Sequence, residues 1–161
     1  MKLINFIIIS GLIVIIGGCN VPINYDRLII KIGDYNNQLE MWNNLGILDY
    51  QLELYFRHLD WSESAVVNVK NGMHISSDPP SWLVDGQKAT IPEFFIFIKE
   101  EERRLKEKYN GVNTLELYVQ YNNEYNYPKY ILLNNTGHTL SHTYLQWDII
   151  LIPLDEDEKG E

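Results

Sequence analysis

The sequence predicts an α+β fold: a single domain in which an antiparallel sheet of about five or six strands packs against one main helix, with a short N-terminal helix beside it or at its edge. Three observations lead to this prediction. Apolar and polar residues alternate over 50–57 and again over 115–121, and a helix-initiation signal stands between them at Thr90. Strict alternation is typical of a strand with one face buried and one face in water.

A short helix is predicted to begin after Asp34, whose carboxylate can accept a backbone N–H at the helix start. Leu39, Trp42 and Leu45 follow at helical spacing on one face, and Gly46 can end the helix. Trp42 could be a ligand platform, but a large aromatic residue on an apolar helix stripe is more often part of the core.

The first hairpin is predicted from 65–70, where apolar residues alternate, and from Asn71-Gly72, which supplies the two positive-φ residues of a tight turn. A short partner strand is expected over about 73–76. Pro79 and Pro80 lack the donor N–H of a ladder, so the strand must end before them.

The main helix is predicted to open with a capping box, because Thr90 and Glu93 are three residues apart and Pro92 lies in the first turn. Asn110-Gly111 is expected to stop it. Its apolar stripe is Ile91, Phe94, Phe95, Ile98, Leu105 and Tyr109.

The last part of the domain is predicted to be a three-stranded meander over 115–121, 127–133 and 140–151. Pro128 favours an edge position or a strand beginning.

The N-terminus has a positive start, an apolar run from Leu3 to Ile16 and two glycines before Cys19, which is the secretory pattern. It resembles a bacterial lipoprotein signal peptide with its lipobox. The resemblance implies cleavage after residue 18 and a lipid on Cys19, which would anchor the chain to the cell membrane or outer membrane, facing out of the cytoplasm. The alternative is an ordinary Cys19 thiol at the end of a signal or anchor helix. The expected division is 1–18 signal peptide, 19–33 lipidated N-terminus and linker, 34–153 domain and 154–161 acidic tail.

The charge balance of the chain limits the kinds of partner that it can bind. The chain has 13 Lys and Arg against 22 Asp and Glu, a formal net charge of −9. Phosphate repels such a surface, so nucleic acid is excluded as an expected partner. Because Cys19 is the only cysteine, no disulfide within the chain is expected.

Five short segments resemble a bacterial lipoprotein family, the one numbered 6174 among the domains of unknown function. They are 48–52 (Leu-Asp-Tyr-Gln-Leu), 67–72 (Val-Asn-Val-Lys-Asn-Gly), 90–95 (Thr-Ile-Pro-Glu-Phe-Phe), 117–121 (Leu-Tyr-Val-Gln-Tyr) and 126–128 (Asn-Tyr-Pro). The resemblance spans roughly 39–152 and implies a secreted α+β lipoprotein, without an activity. Where many members have a cysteine pair this chain has Asp60-Trp61, and where they have acidic residues it has Ser141-His142-Thr143.

No catalytic motif is found in the sequence: there is no phosphate-binding glycine loop, nucleophile elbow or metalloprotease signature. We therefore expect no enzyme, no cofactor and no metal site. His138 and His142 would share a strand face, but a zinc site normally needs further ligands. An acid–base pair of Asp148 with a glutamate is the catalytic alternative; the candidate glutamates are Glu53, Glu116 and Glu124.

Tyrosines on the predicted polar side of the sheet are the candidate binding surface, because tyrosine combines contact area with a polar group. The alternative is that the first helix covers them. The function expected from the sequence is a non-catalytic binding domain for an envelope protein, with an inhibitor of an envelope hydrolase or a glycan binder as alternatives. The candidate residues are Tyr55, Tyr118, Tyr125, Tyr127 and Tyr130, with Trp61 and Trp82 in loops as a second choice.

Overall fold

Seven strands and two helices form the part of the chain that the computed structural model describes, which is residues 27–80, 88–109, 113–137 and 143–154. In chain order they are β1 (Leu28–Lys31), α1 (Tyr35–Leu45), β2 (Tyr50–His58), β3 (Trp61–Lys70), β4 (Met73–Asp78), α2 (Ile91–Lys108), β5 (Asn113–Tyr121), β6 (Pro128–Gly137) and β7 (Thr143–Pro153).

All seven strands belong to one mixed sheet of order β1-β5-β6-β7-β2-β3-β4. The predicted α+β class with an antiparallel sheet of five or six strands is therefore wrong: the described fold is mostly β, and β1 runs parallel to β5. Leu28–Lys31 lies in the segment that the sequence assigned to the lipidated N-terminus and linker. An apolar run this short has no readable period, and its partner β5 lies far along the chain.

The predicted meander is confirmed, because β6 pairs antiparallel with both β5 and β7. Pro128 begins β6, which is an interior strand of the sheet and not an edge strand. The last strand begins at Thr143, because 138–142 lie outside the described residues.

The Asn71-Gly72 turn is confirmed by φ angles of 51° and 73°. The N–H of Asn71 also donates to the carboxylate of Asp49 at 2.7 Å, which ties the turn to the start of β2. Strand β4 is two residues longer than predicted and ends at Asp78, directly before Pro79.

The capping box of α2 is confirmed: the Thr90 hydroxyl accepts from the Glu93 N–H at 3.4 Å, and the Glu93 carboxylate accepts from the N–H of Thr90 at 2.9 Å and of Ala89 at 2.8 Å. The helix ends at Lys108, two residues before Asn110, which lies outside the described residues. Five of the six predicted stripe residues are buried, namely Ile91, Phe94, Phe95, Ile98 and Leu105, and the sixth, Tyr109, packs against the core.

Helix α1 lies beside α2 on the same face of the sheet. The Tyr35 hydroxyl donates to the Phe95 carbonyl oxygen at 2.9 Å, and Trp42 meets Tyr50 edge to face at 5.9 Å. Trp42 is buried, as predicted. Asp34 accepts from the Asn37 N–H, and Gly46 ends the helix in the left-handed region, so both predicted ends are confirmed.

The predicted signal peptide (1–18), the Cys19 lipidation site and residues 155–161 of the acidic tail lie outside the described residues. Within the described part of the chain, neither helix combines the length and the apolar character required to cross a bilayer.

Candidate functional site

The face of the sheet opposite the two helices, here called the open face, is the main candidate site. Burial alternates along the strands: in β2, Leu52, Leu54 and Phe56 are buried, whereas Glu53 and Tyr55 are exposed. No described helix or strand packs on this second face. The alternation therefore leaves every second side chain of the described sheet available to a partner.

Two of the predicted tyrosines share one row across the open face. Tyr55 is paired with Asp148, and Asp148 with Tyr130 on the next strand. Tyr118 lies one row away, and its ring meets that of Tyr130 edge to face at 6.1 Å, with an angle of 67° between the planes. The structure thus places Tyr55, Tyr118 and Tyr130 on the same face of the sheet.

Tyr144 belongs to the same surface, although the sequence analysis missed it. Its hydroxyl donates to Gln146 at 2.6 Å, and the Gln146 amide donates to Asp148 at 2.7 Å. The guanidinium of Arg57 lies 5.9 Å from the centre of the Tyr144 ring. The alternation of Tyr144, Gln146 and Asp148 with buried residues of β7 was the signal that could have found it.

Hydrogen bonds between side chains hold several polar groups of the open face in place. Gln120 donates to the Tyr118 hydroxyl at 2.7 Å. Towards the opposite edge of the sheet, on the same face, Gln51 donates to Asn68 and Asn68 donates to Ser76, each at 3.0 Å. Such bonds restrict rotamers before a partner arrives and so reduce the entropy that binding loses.

Tyr130 has a raised pKa, chiefly because burial disfavours the phenolate and further because Tyr144 and the carboxylate of Asp148 lie nearby. The hydroxyl is therefore a neutral donor and acceptor at physiological pH, and not a base.

A shallow concavity of about 310 Å³ lies on the open face between β7, β2, β3 and β4. Apolar parts of Tyr55, Val66 and Ile150 line it, and carboxylates surround them. The acidic lining residues are Glu53, Asp78 and Asp148. Two of these, Glu53 and Asp148, form one of the three pairs that were considered for acid–base chemistry, and both line the concavity.

Two predicted binding residues do not belong to this surface. Tyr127 is only 4% exposed, and its hydroxyl accepts the Leu151 N–H at 3.2 Å inside the core. Tyr125 packs against the core as well. The reason is the turn before β6, where Asn126 has a φ of 59° and the Asn122 side chain accepts the Tyr125 N–H at 2.8 Å. Tyr127 is a core residue, so assigning it to the binding surface was wrong, and Tyr125 is partly buried against the core.

The second candidate surface is described only in part. Trp61 begins β3, is 47% exposed and stacks on His58 with ring centres 5.8 Å apart. Trp82 lies outside the described residues.

A metal-binding arrangement is not seen among the described residues, since no three His, Cys, Asp or Glu side chains are grouped so that they could hold an ion. The three carboxylates of the concavity are thus separate charged groups. His138 and His142 lie outside the described residues.

Comparison with known proteins gives no relative. No protein-family model matches the chain, and searches of curated proteins and of solved structures find no significant match. The resemblance to the lipoprotein family stays a prediction, and the case for function depends on the open face itself.

Proposed function

We propose that this chain is a non-catalytic binding domain of a bacterial cell-envelope lipoprotein, tethered by a lipid on Cys19, and that it captures a protein partner on the open face. The observation that carries the proposal is one-sided packing. The two helices cover one face of a seven-stranded sheet, whereas Tyr55, Tyr118, Tyr130 and Tyr144 lie on the other.

The open face has the size of a protein interface. Seven strands at a spacing of about 4.8 Å give a width of roughly 30 Å, and strands of about nine residues give a similar length. A stable protein interface covers roughly 800 Å² on each partner. The face therefore accommodates one such interface.

The composition of the face supports a protein partner. Tyrosine is enriched in interfaces, where the ring is buried and the hydroxyl forms hydrogen bonds. Tyr118 and Tyr130 meet at 67°, so their rings do not form the flat platform on which a sugar ring would stack. This geometry favours a protein over a glycan.

The experiment is a crosslinking pull-down from native membranes with the full-length protein. The test variant is Tyr118→Ser with Tyr130→Ser, which removes the edge-to-face pair. The matched control is Ile96→Ser, because Ile96 is an exposed apolar residue on α2, away from the open face. We expect the double variant to lose a partner that the wild type and the control both retain.

Equal recovery of that partner by the double variant would contradict the open face as the binding surface. If the partner is a hydrolase, an assay of its activity with and without this protein distinguishes an inhibitor from an adaptor. A Cys19→Ala variant tests the tether separately: we expect it to lose incorporation of a labelled fatty acid and to leave the membrane fraction.

A further inference from the structure

The concavity on the open face exposes apolar side chains at the middle of the sheet. Ile150 on β7 is 55% exposed and Tyr55 on β2 is 40% exposed, although both strands are interior strands. With Val66 they form the apolar floor of the concavity. The concavity has a volume of about 310 Å³, near the lower end of the range for ligand pockets, roughly 300–1,000 Å³. Such a floor loses contact with water only when a partner covers it.

The charged side chains that line the concavity are all acidic. The charged lining residues of the concavity are Glu53, Asp78 and Asp148, on three different strands. The four ion pairs found among the described residues all lie on α2, so none of these carboxylates is paired with a cation there. An occupant that buries the floor must therefore supply positive charge, or the carboxylates lose hydration without compensation.

We propose that the concavity binds an arginine or lysine side chain of the partner protein, an inference that rests on the proposed function of the open face. The aliphatic stem of such a side chain covers Ile150 and Val66, and its charged group reaches the carboxylates at the rim. A guanidinium can in addition stack on the exposed ring of Tyr55. The net charge of −9 attracts a basic partner from a distance.

One carboxylate is already oriented for this role. The Gln146 amide donates to one oxygen of Asp148 at 2.7 Å, which restricts the rotation of the carboxylate. Asp148 is also in register with Tyr55 on the neighbouring strand β2. The apolar wall and the acidic group are therefore held side by side.

The first test uses a labelled peptide of glycine and leucine with two arginines, and fluorescence anisotropy with the full chain. The matched probe carries citrulline, which has nearly the same shape as arginine but no charge. We expect the arginine peptide to bind at least about tenfold more tightly than the citrulline peptide. Equal affinities, or no binding of the arginine peptide, would overturn the proposal.

The second test uses Asp78→Asn with Asp148→Asn, which keeps the shape of the concavity and removes two charges. The control is Glu40→Gln with Glu100→Gln, which changes the net charge equally on the two helices and outside the concavity. We expect the first variant to bind the arginine peptide about tenfold more weakly and the control to change affinity less than twofold. If both variants lost affinity for the arginine peptide equally, the effect would come from the overall charge, and the proposed site would be refuted.

The same variants in the membrane pull-down separate this inference from the proposed function. If the Tyr118 and Tyr130 variant loses the partner and the Asp78 and Asp148 variant keeps it, the open face binds but the concavity does not hold a cation. If both retain it, the open face itself is not the binding surface. Thermal unfolding of each variant verifies that it is folded.

Discussion

The hydroxyl of Tyr50 accepts a hydrogen bond from the backbone N–H of Ile91 at 3.2 Å. Tyr50 is the first residue of β2 and Ile91 is the first residue of α2, and both are buried. The N–H groups in the first turn of a helix have no partner within the helix. Tyr50 therefore satisfies one of them and fixes where the main helix begins on the sheet.

Replacing Tyr50 by phenylalanine tests this bond. The ring and its contact with Trp42 stay, but the Ile91 N–H loses its acceptor in the core. We expect the free energy of unfolding to fall by about 1–2 kcal/mol, measured by urea denaturation. Tyr55→Phe is the control, because Tyr55 is exposed on the open face, and a change of equal size there would contradict the explanation.

The pKa of Tyr50 gives a prediction at alkaline pH. Burial raises this pKa from 10.0 to about 12. The unfolded chain therefore releases the proton first, and the stability that this tyrosine contributes below pH 10 is lost as the pH rises towards 12. We expect the loss to be on the order of 1–3 kcal/mol, and Tyr50→Phe to show a correspondingly smaller decline in urea unfolding. An identical pH profile in both proteins would exclude Tyr50 as a source.

The capping box of α2 gives a third prediction. Glu93→Ala removes the carboxylate that accepts from two backbone N–H groups, at Ala89 and Thr90. We expect a loss of about 1–2 kcal/mol in the free energy of unfolding. Glu100→Ala is the matched control on the exposed face of the same helix and is expected to change stability by less than about 0.5 kcal/mol.

Tyr127 gives the prediction that separates core from surface. Tyr127→Phe leaves the Leu151 N–H without its acceptor inside the sheet, so we expect a loss of about 1–3 kcal/mol. Tyr118→Phe removes a hydroxyl on the open face and is expected to cost less than about 0.5 kcal/mol. Urea unfolding measures both losses. A larger loss for Tyr118→Phe than for Tyr127→Phe would contradict the assignment of Tyr127 to the core and Tyr118 to the open face.

Local chemistry explains which parts of the fold were predictable. The capping box at Thr90 and Glu93, the turn at Asn71-Gly72 and the alternation along β2 each depend on a few neighbouring residues, and the structure has all three. Tyr55 and Tyr118 were assigned to the polar face because the period of a strand is two.

Contacts between distant segments explain the rest. The pairing of Leu28 with Leu115 joins residues far apart in the chain, and no local pattern around Leu28 predicts it. Tyr127 is in phase with the buried residues Ile131 and Leu133 of β6, but it lies in the turn before the strand, next to the positive φ of Asn126, where alternation is not a guide. The concavity is equally hidden in the sequence, since Asp78, Glu53 and Asp148 meet only after the strands are ordered in space.

Alternation along the interior strands separates the residues that form the core from the residues that form the open face. Leu52, Leu54 and Ile149 are buried in the core on the helix side, whereas Glu53, Tyr55 and Ile150 are exposed on the open face. Substitutions in the second set change what the surface recognises at little cost in stability. The same scaffold can therefore be given a new specificity by redesigning every other residue of β2 and β7, while the remaining residues stay as they are.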